Sequence, residues 1–224
     1  MTFKIIEAKD FNLAATLESG QVFGFTKEAG GVYFGAIDSV ETRLTQRNGS
    51  LHAETSSRKM PDLENYFDLA HDLTPIYQVI FKDEAFGKAV QSIRGLRIIR
   101  QDSWEALACF IISSNNNVKR IQGIWRNLRK LSTTKNSFPQ ASEIARSHEN
   151  ILRELGLGYR APYLLRSAQF VAANPESLQM IRAADYEEAK ERLLAFPGIG
   201  EKVADCVLLY GFQNTRHFRL MSGF

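Results

Sequence analysis

The segment 193–206, LLAFPGIGEKVADC, constrains the fold most, because two helical patterns are joined there by a very short glycine turn. The first helix stops at Pro197, and two glycines then bracket one apolar residue before the second helix begins. Glycine permits positive φ and close backbone approach. The free N–H groups at a helix start can bind a phosphate. The motif is consistent with a phosphate grip or with a plain αα-corner. The residues expected to form the grip are Gly198, Gly200 and Val203.

Lys202 falls in the first turn of the second helix. The positive end of the helix dipole disfavours the ammonium form there, and partial burial would act in the same direction. A neutral lysine is a nucleophile that could attack the anomeric carbon of a deoxynucleotide and leave a Schiff base. The alternative is an ordinary solvated charge. Cys206 lies one turn later on the same face, where it would line a pocket beside the lysine or fill the core.

Charge is unevenly distributed along the chain. Residues 1–75 carry 7 Lys and Arg against 11 Asp and Glu, whereas residues 76–224 carry 21 against 14. A polyanion is therefore expected to meet the second part, unless the asymmetry is random scatter. No apolar run reaches the roughly 18 residues of a membrane helix, and the start lacks a signal peptide. The two cysteines, Cys109 and Cys206, suit a reducing compartment and are too few for an iron–sulfur cluster.

Periodicity predicts an α+β protein, with antiparallel strands in a domain over 1–72 and helices in a domain over 73–224. The turn at Asn48-Gly49 is a strong hairpin signal, because both residues tolerate positive φ. Strands are predicted at 21–26, 32–37, 40–46 and 51–55. Helices are predicted at 104–112, 117–131, 161–173, 187–196 and 201–211.

The predicted helix 117–131 has two different faces. An apolar stripe recurs at helical spacing on one side, and the other side is basic, with no acidic residue anywhere between 115 and 135. The apolar residues are Val118, Ile121, Trp125, Leu128 and Leu131. The basic residues are Lys119, Arg120, Arg126, Arg129 and Lys130.

Five motifs taken together resemble the 8-oxoguanine DNA glycosylase/AP lyase family of the helix-hairpin-helix superfamily, over about residues 17–212. They are SGQVF at 19–23, RQD at 100–102, SSNNN at 113–117, LGLGYRA at 155–161 and the hairpin followed by KVADC at 202–206. The resemblance implies an N-terminal antiparallel β-sheet domain followed by an all-helical helix-hairpin-helix glycosylase domain. It implies no cofactor and no metal.

The resemblance also implies residues that handle the target base. Lys202 would be the nucleophile, and the carbonyl of Gly20 would accept the N7–H that 8-oxoguanine has and guanine lacks. Such a donor–acceptor difference can discriminate strongly. Cys206 would face the flipped base. Without the family, Gly20 would simply be a turn glycine.

A base-flipping enzyme must also hold the opened duplex. By resemblance, Asn115 would enter the stack, Arg120 and Arg160 would read the estranged cytosine, and Tyr159 would act as an aromatic wedge. The ordinary alternatives are an asparagine cap before the helix at Asn117, surface arginines and a packed tyrosine.

The resemblance predicts a monomer that excises 8-oxoguanine, opposite cytosine, from double-stranded DNA, with no membrane involved. One family feature is missing, because an aspartate is expected soon after the second hairpin helix and no Asp or Glu follows Asp205. A truncated or frameshifted C-terminus would account for this, since residues 217–224 can be back-translated in a shifted frame that encodes an aspartate. The alternatives are a homologue that binds damaged DNA without efficient catalysis, or a glycosylase for another oxidised or alkylated purine.

Overall fold

The computed structural model describes residues 1–134 and 137–214. It has two compact units, Met1–Arg100 and Gln101–Phe224. The first contains an antiparallel sheet and the second is helical, so the predicted α+β class is confirmed. Along the chain, the first unit ends at residue 100 and the second begins at residue 101. The sequence pattern placed a domain boundary between residues 72 and 73, and that boundary stays a prediction about domain organisation.

The first unit is built on five antiparallel strands in the order β1-β5-β4-β3-β2. The predicted hairpin at Asn48-Gly49 joins β4 to β5, and both residues have positive φ. The strands are β1 Thr2–Glu7, β2 Thr26–Lys27, β3 Tyr33–Ile37, β4 Val40–Arg47 and β5 Ser50–Thr55. The helices are α1 Leu13–Glu18, α2 Leu63–Tyr66, α3 Thr74–Ile80 and α4 Glu84–Ser92.

The predicted strand at 21–26 is wrong except for its last residue, Thr26. Residues 21–25 form a buried irregular segment rather than a strand, with side chains such as Val22 and Phe25 in the core of the unit. The side chain of Gln21 replaces strand pairing there, because its amide binds the backbone of residues 97 and 99.

The segment that follows α4 is fixed to the first unit by Arg97, which is 4% exposed. Its guanidinium donates only to backbone carbonyls. The acceptors are Lys9, Asp10, Asp68 and His71. The carbonyl of Gly95 also accepts from the N–H of Asn12 at 2.8 Å. These bonds explain why residues 73–100, which the sequence pattern grouped with the helices, lie in the compact unit of the sheet.

The second unit contains the five predicted helices, each within a few residues of its expected bounds. The helices are α5 Ser103–Ser113, α6 Val118–Leu128, α7 Ala141–Ala145, α8 Glu149–Leu152, α9 Ala161–Ala173, α10 Ser177–Ala183, α11 Tyr186–Leu194 and α12 Glu201–Phe212. Short 3₁₀ turns follow α6 at Arg129–Leu131 and precede α9 at Gly158–Arg160. Among the described helices, none is both long and apolar enough to cross a membrane.

Helix α5 is the core of this unit, because nine of the ten residues from Ser103 to Ile112 are buried and the exception is Glu105. Helix α12 packs closely against it, and Gly211 makes this possible, because a Cβ at that position would lie 2.9 Å from the Cβ of Ala106. The Ser103 hydroxyl donates to the Gly211 carbonyl at 2.9 Å. This packing fixes the end of α12 and so holds its N-terminus in place.

Candidate active site

The hairpin between α11 and α12 has the geometry that its two glycines predict. Gly198 has φ +80°, which favours glycine, and a Cβ there would lie 2.7 Å from the ring of Tyr163. Gly198 is therefore required both by its backbone conformation and by close packing. Gly200 is the N-cap of α12, and its carbonyl accepts the first helical hydrogen bond from Ala204.

The N-terminus of α12 has backbone N–H groups that could donate hydrogen bonds to a ligand. Gly200 has no side chain to cap them, and within the described residues the N–H groups of Gly198, Gly200 and Val203 have no acceptor. The Ile199 side chain is buried, and its burial holds the turn in place. Unpaired amides at a helix start, together with the positive end of its dipole, are suited to binding an anion such as phosphate.

Lys202 is exposed and has no hydrogen-bond or carboxylate partner among the described residues. The partial burial considered for Lys202 is not observed, because the first turn of α12 faces outward. Cys206 lies one turn along the helix and is partly buried. Burial raises the pKa of the Cys206 thiol, and the positive charge of Lys202 opposes that rise. The spacing of four residues on α12 places the amine and the thiol on one side of the helix.

Asp205 has a structural role in the packing of α11 on α12. Its carboxylate accepts from the Tyr186 hydroxyl at 2.5 Å and pairs with Lys190 at 3.0 Å. Lys190 also binds Glu201 at 2.6 Å, and this hydrogen bond is the main reason that its pKa is raised. Asp205 is thus committed to the fold and does not replace the family aspartate.

The loop between α5 and α6 carries the predicted asparagine. Asn115 has φ +48° and is exposed, and its side chain has no partner among the described residues. Asn117 caps α6 by accepting from the N–H of Arg120 at 3.0 Å, whereas Asn116 donates to the Ile112 carbonyl. The cap therefore belongs to the third asparagine, and the first is left facing outward. The Arg120 side chain is likewise exposed and unpaired in the part that the structure describes.

Arg160 supports this loop from beneath. It is 2% exposed, and its guanidinium donates three hydrogen bonds of 2.5–2.8 Å to the carbonyls of Ser114 and Asn115. Its Cζ lies 4.3 Å from the ring centre of Tyr159, which is 48% exposed and donates to the Ser114 carbonyl. Nε and Nη2 are thus used within the protein, whereas Nη1 makes no hydrogen bond among the described residues.

Sequence reasoning did not single out Tyr163, which connects these parts. Its ring meets that of Tyr159 edge-on, with centroids 6.4 Å apart, and it packs against Gly198 of the hairpin. The two tyrosines are four residues apart, so the helical i, i+4 rule was a signal that could have found the contact. The asparagine loop, the tyrosine wedge and the hairpin therefore lie next to one another in the second unit.

Gly20 lies in the first unit, in the turn after α1, with φ +85°. The next residue holds this turn in place. Gln21 is 2% exposed, and its amide donates to the Thr16 and Arg97 carbonyls at 3.1 and 2.8 Å. Its oxygen accepts from Ile99 N–H at 2.8 Å. The Gly20 carbonyl has no partner among the described residues, which leaves it available as an acceptor.

Comparison with known proteins gives the relationship directly. Residues 4–107 match the family model described as 8-oxoguanine DNA glycosylase, N-terminal domain. An N-glycosylase/DNA lyase of Saccharomyces cerevisiae is 38% identical over 173 residues, which are 67% of this chain and 46% of the yeast protein. The chain belongs to the 8-oxoguanine DNA glycosylase/AP lyase family. The N-glycosylase/DNA lyase OGG1 of Arabidopsis thaliana is 30% identical over 225 residues, covering 92% of this chain and 62% of the plant protein.

The fold agrees with this family over almost the whole chain. A solved structure of the Clostridium acetobutylicum 8-oxoguanine glycosylase/lyase, bound to double-stranded DNA containing cytosine opposite 8-oxoG, superposes with a TM-score of 0.85 at 26% identity. The match covers 96% of this chain and 81% of that one. The chain spans about half to three fifths of the length of the curated relatives in yeast and Arabidopsis. The back-translated tail, residues 217–224, lies outside the described residues.

Proposed function

We propose that this chain excises 8-oxoguanine from duplex DNA and then cleaves the strand at the resulting abasic site. The observation that carries the proposal is the exposed Lys202 on the first turn of α12, which has no partner among the described residues and lies beside the hairpin amides and one turn from Cys206. Family membership supports the reaction class, and the exposure of Lys202 supports its role as a nucleophile that a sugar could reach. Such an enzyme would work where genomic DNA is, in a bacterial nucleoid or a eukaryotic nucleus.

In the proposed chemistry the neutral Lys202 amine attacks C1′ of the deoxyribose. The N–C1′ bond forms as the C1′–N9 bond breaks, and the base leaves with the electron pair and takes up a proton. Opening of the sugar ring gives a protonated Schiff base between Nζ and C1′. Removal of a C2′ proton then allows the 3′ C–O bond to break, and the phosphate leaves with that pair. No step requires an oxidant, a reductant or a metal.

The remaining predicted residues would bind the DNA backbone and the damaged base. Unpaired amides at Gly198, Gly200 and Val203 would hold a backbone phosphate near the reacting sugar. By the family resemblance, the Gly20 carbonyl would accept the N7–H of the flipped base, and Cys206 is assigned a contact with that base. A carbonyl acceptor suits the first task, since guanine offers no hydrogen there and would leave the acceptor unpaired.

The duplex would be held open by side chains that the fold leaves unused. Asn115 and Arg120 are exposed, and their side chains have no partner among the described residues, so both could contact the vacated stack and the estranged base. Tyr159 offers a half-exposed ring for stacking. Arg160 would contribute differently from Arg120, because two of its three nitrogens already hold the loop. We therefore propose that Arg160 mainly positions Asn115 and gives the base at most its Nη1 group.

Borohydride trapping tests the proposal, because hydride reduces the C=N bond of the Schiff base to a stable amine link. Wild-type protein should become covalently attached to a duplex with 8-oxoguanine opposite cytosine, and Lys202→Gln should abolish the attachment. Lys88→Gln is the matched control, since Lys88 is an exposed helical lysine of the first unit that is paired with Glu84. Trapping that persists in Lys202→Gln would remove Lys202 from the nucleophile's role.

A second candidate is a protein that binds the damaged duplex with little turnover. It applies to the given residues taken by themselves, in which no Asp or Glu follows Asp205. Loss of a carboxylate that stabilises a cationic transition state commonly costs orders of magnitude in rate. Single-turnover assays separate the candidates, because tight binding of the damaged duplex without base release supports the second and contradicts the first. Competition with other damaged purines in the same assay tests the choice of base.

A further inference from the structure

The solvent side of α6 and of the 3₁₀ turn that follows it carries a row of cations, which we call the basic stripe: Lys119, Arg126 and Lys130, with Gly123 between the first two. At about 100° per residue the three positions within α6, 119, 123 and 126, fall within about 60° of one another around the helix. They lie opposite the buried residues of α6, which include Ile121 and Leu128. The three cationic side chains are exposed.

The basic stripe has no acidic partners within the described residues. Lys88 and Arg153, which are also exposed on helices, each pair with a carboxylate one turn earlier, Glu84 at 2.6 Å and Glu149 at 2.7 Å. Helix α6 itself contains no Asp or Glu. Like charges along one face repel each other and weaken a helix, so this arrangement costs stability unless an anion is bound.

Gly123 is a second, independent observation on the same face. It lies in the interior of α6 with helical backbone, and a Cβ built there would meet nothing within 4 Å. Neither a strained conformation nor close packing within the described residues therefore accounts for glycine, which stabilises a helix less than alanine does. A glycine in the middle of a cationic face lets an external backbone approach the helix closely.

We propose that the basic stripe binds the phosphate backbone of duplex DNA beside the opened base pair, with a phosphate seated over Gly123. The inference rests on the proposed function, because it extends the same DNA surface from Asn115 and Arg120 along α6. From position 119 to 128 α6 rises roughly 14 Å at 1.5 Å per residue, and Lys130 lies in the 3₁₀ turn directly after it. A duplex presents about one phosphate charge per 1.7 Å of its axis, so the stripe can meet several phosphates.

Salt dependence of DNA binding tests the proposal. We compare the triple variant Lys119→Gln/Arg126→Gln/Lys130→Gln with Lys88→Gln/Arg153→Gln/Arg192→Gln, which removes the same net charge from cations paired within the protein. Each phosphate contact contributes about 0.9 to the slope of log K against log salt concentration, so the stripe variant should lose about 2 to 3 slope units on a duplex of about 25 base pairs. The control should lose less than about half a unit.

Two further measurements make the test sharper. On a short duplex of about 9 base pairs centred on the lesion, the affinity loss of the stripe variant should be at least about tenfold smaller than on the long duplex. Gly123→Leu fits the open space and adds helix propensity, so it should raise or keep Tm while weakening binding to the long duplex. Thermal unfolding of all variants verifies that they are folded.

Several outcomes overturn the inference. Equal slope changes in the stripe and control variants would indicate a general charge effect, and equal losses on short and long duplexes would place the contacts elsewhere. Unchanged binding by Gly123→Leu would reject a phosphate over that position. Because salt slopes are measured on undamaged duplex as well, the stripe is tested even if trapping through Lys202 fails, and failure of one proposal is distinguishable from failure of the other.

Discussion

Helices α6 and α11 both carry several cations in the same helical unit, yet they use them in opposite ways. On α11, Lys190 pairs with Glu201 and Asp205, and Arg192 pairs with Glu188. On α6, the basic stripe has no carboxylate partner among the described residues. Charges that are neutralised within the fold contribute to its stability, whereas charges left unpaired on one face are available to a ligand. The two helices therefore separate stability from binding, which makes the comparison testable.

Arg160 gives the largest expected effect. Its guanidinium is bonded within the fold, as the cations of α11 are, and it is also proposed to support DNA binding, as the cations of α6 are. We expect Arg160→Met to lower the free energy of unfolding by about 3 kcal/mol, since the carbonyls of Ser114 and Asn115 would lose charge-assisted hydrogen bonds inside the protein. Denaturant unfolding followed by circular dichroism measures this. Arg166→Met is the matched control, because Arg166 is an exposed arginine on the following helix.

The same variant should also weaken binding of the damaged duplex, because the loop that presents Asn115 loses its support. Arg160→Lys keeps the charge but not the planar fork, so it should recover only part of the stability. A stability loss below about 0.5 kcal/mol in Arg160→Met would show that the buried guanidinium does not hold the loop.

Lys190 tests the paired side of the comparison. Its side chain is 17% exposed and bridges two carboxylates, so Lys190→Met should lower the free energy of unfolding by about 1–2 kcal/mol. Lys119→Gln on α6 should change it by less than about 0.5 kcal/mol, since that side chain has no partner to lose. Urea unfolding of both variants at neutral pH makes the measurement. Similar losses in the two variants would contradict the distinction between paired and unpaired helices.

Local features of this comparison could be predicted from the sequence, whereas distant pairings could not. The basic face of α6, the hairpin and the bounds of α9 follow from periodicity, capping and glycine placement within short windows. The contact of Arg160 with Ser114 joins residues 46 positions apart, and that of Gln21 with Arg97 joins residues 76 apart. Such pairings depend on tertiary packing, which is also why residues 21–25 became a buried loop instead of a strand.

The candidate active site shows the same difference between features that follow from local sequence and features that depend on tertiary packing. Residue types and spacing drew attention to Lys202 and Cys206, and the family resemblance added Asn115. The exposure of Lys202 could not be predicted from its motif, since exposure depends on how α12 is oriented by Gly211 and by the α11 network. Which asparagine caps α6 and which faces outward likewise becomes visible only in the folded loop.

Glu105 gives the smallest expected effect on stability. It also limits the comparison of α6 with α11, because this carboxyl contacts α6. It accepts from the Trp125 indole at 2.8 Å on the buried side of the helix, so it does not face the basic stripe. Burial raises the pKa of Glu105 to about 7. A carboxyl whose folded pKa exceeds its unfolded value stabilises the protein less as pH rises from the unfolded pKa to the folded one.

As pH rises from 6 to 8, ionisation of Glu105 should therefore lower the free energy of unfolding by about 1 kcal/mol. Glu105→Gln should remove that part of the pH dependence. Glutamine keeps an acceptor for Trp125, so the variant should be at least as stable as wild type at pH 8. The measurement is denaturant unfolding at several pH values, with Glu149→Gln as a control on an exposed carboxylate. Parallel pH profiles for Glu105→Gln and wild type would mean that Glu105 is already ionised in the folded protein, and α6 would then have an anionic neighbour on its inner side.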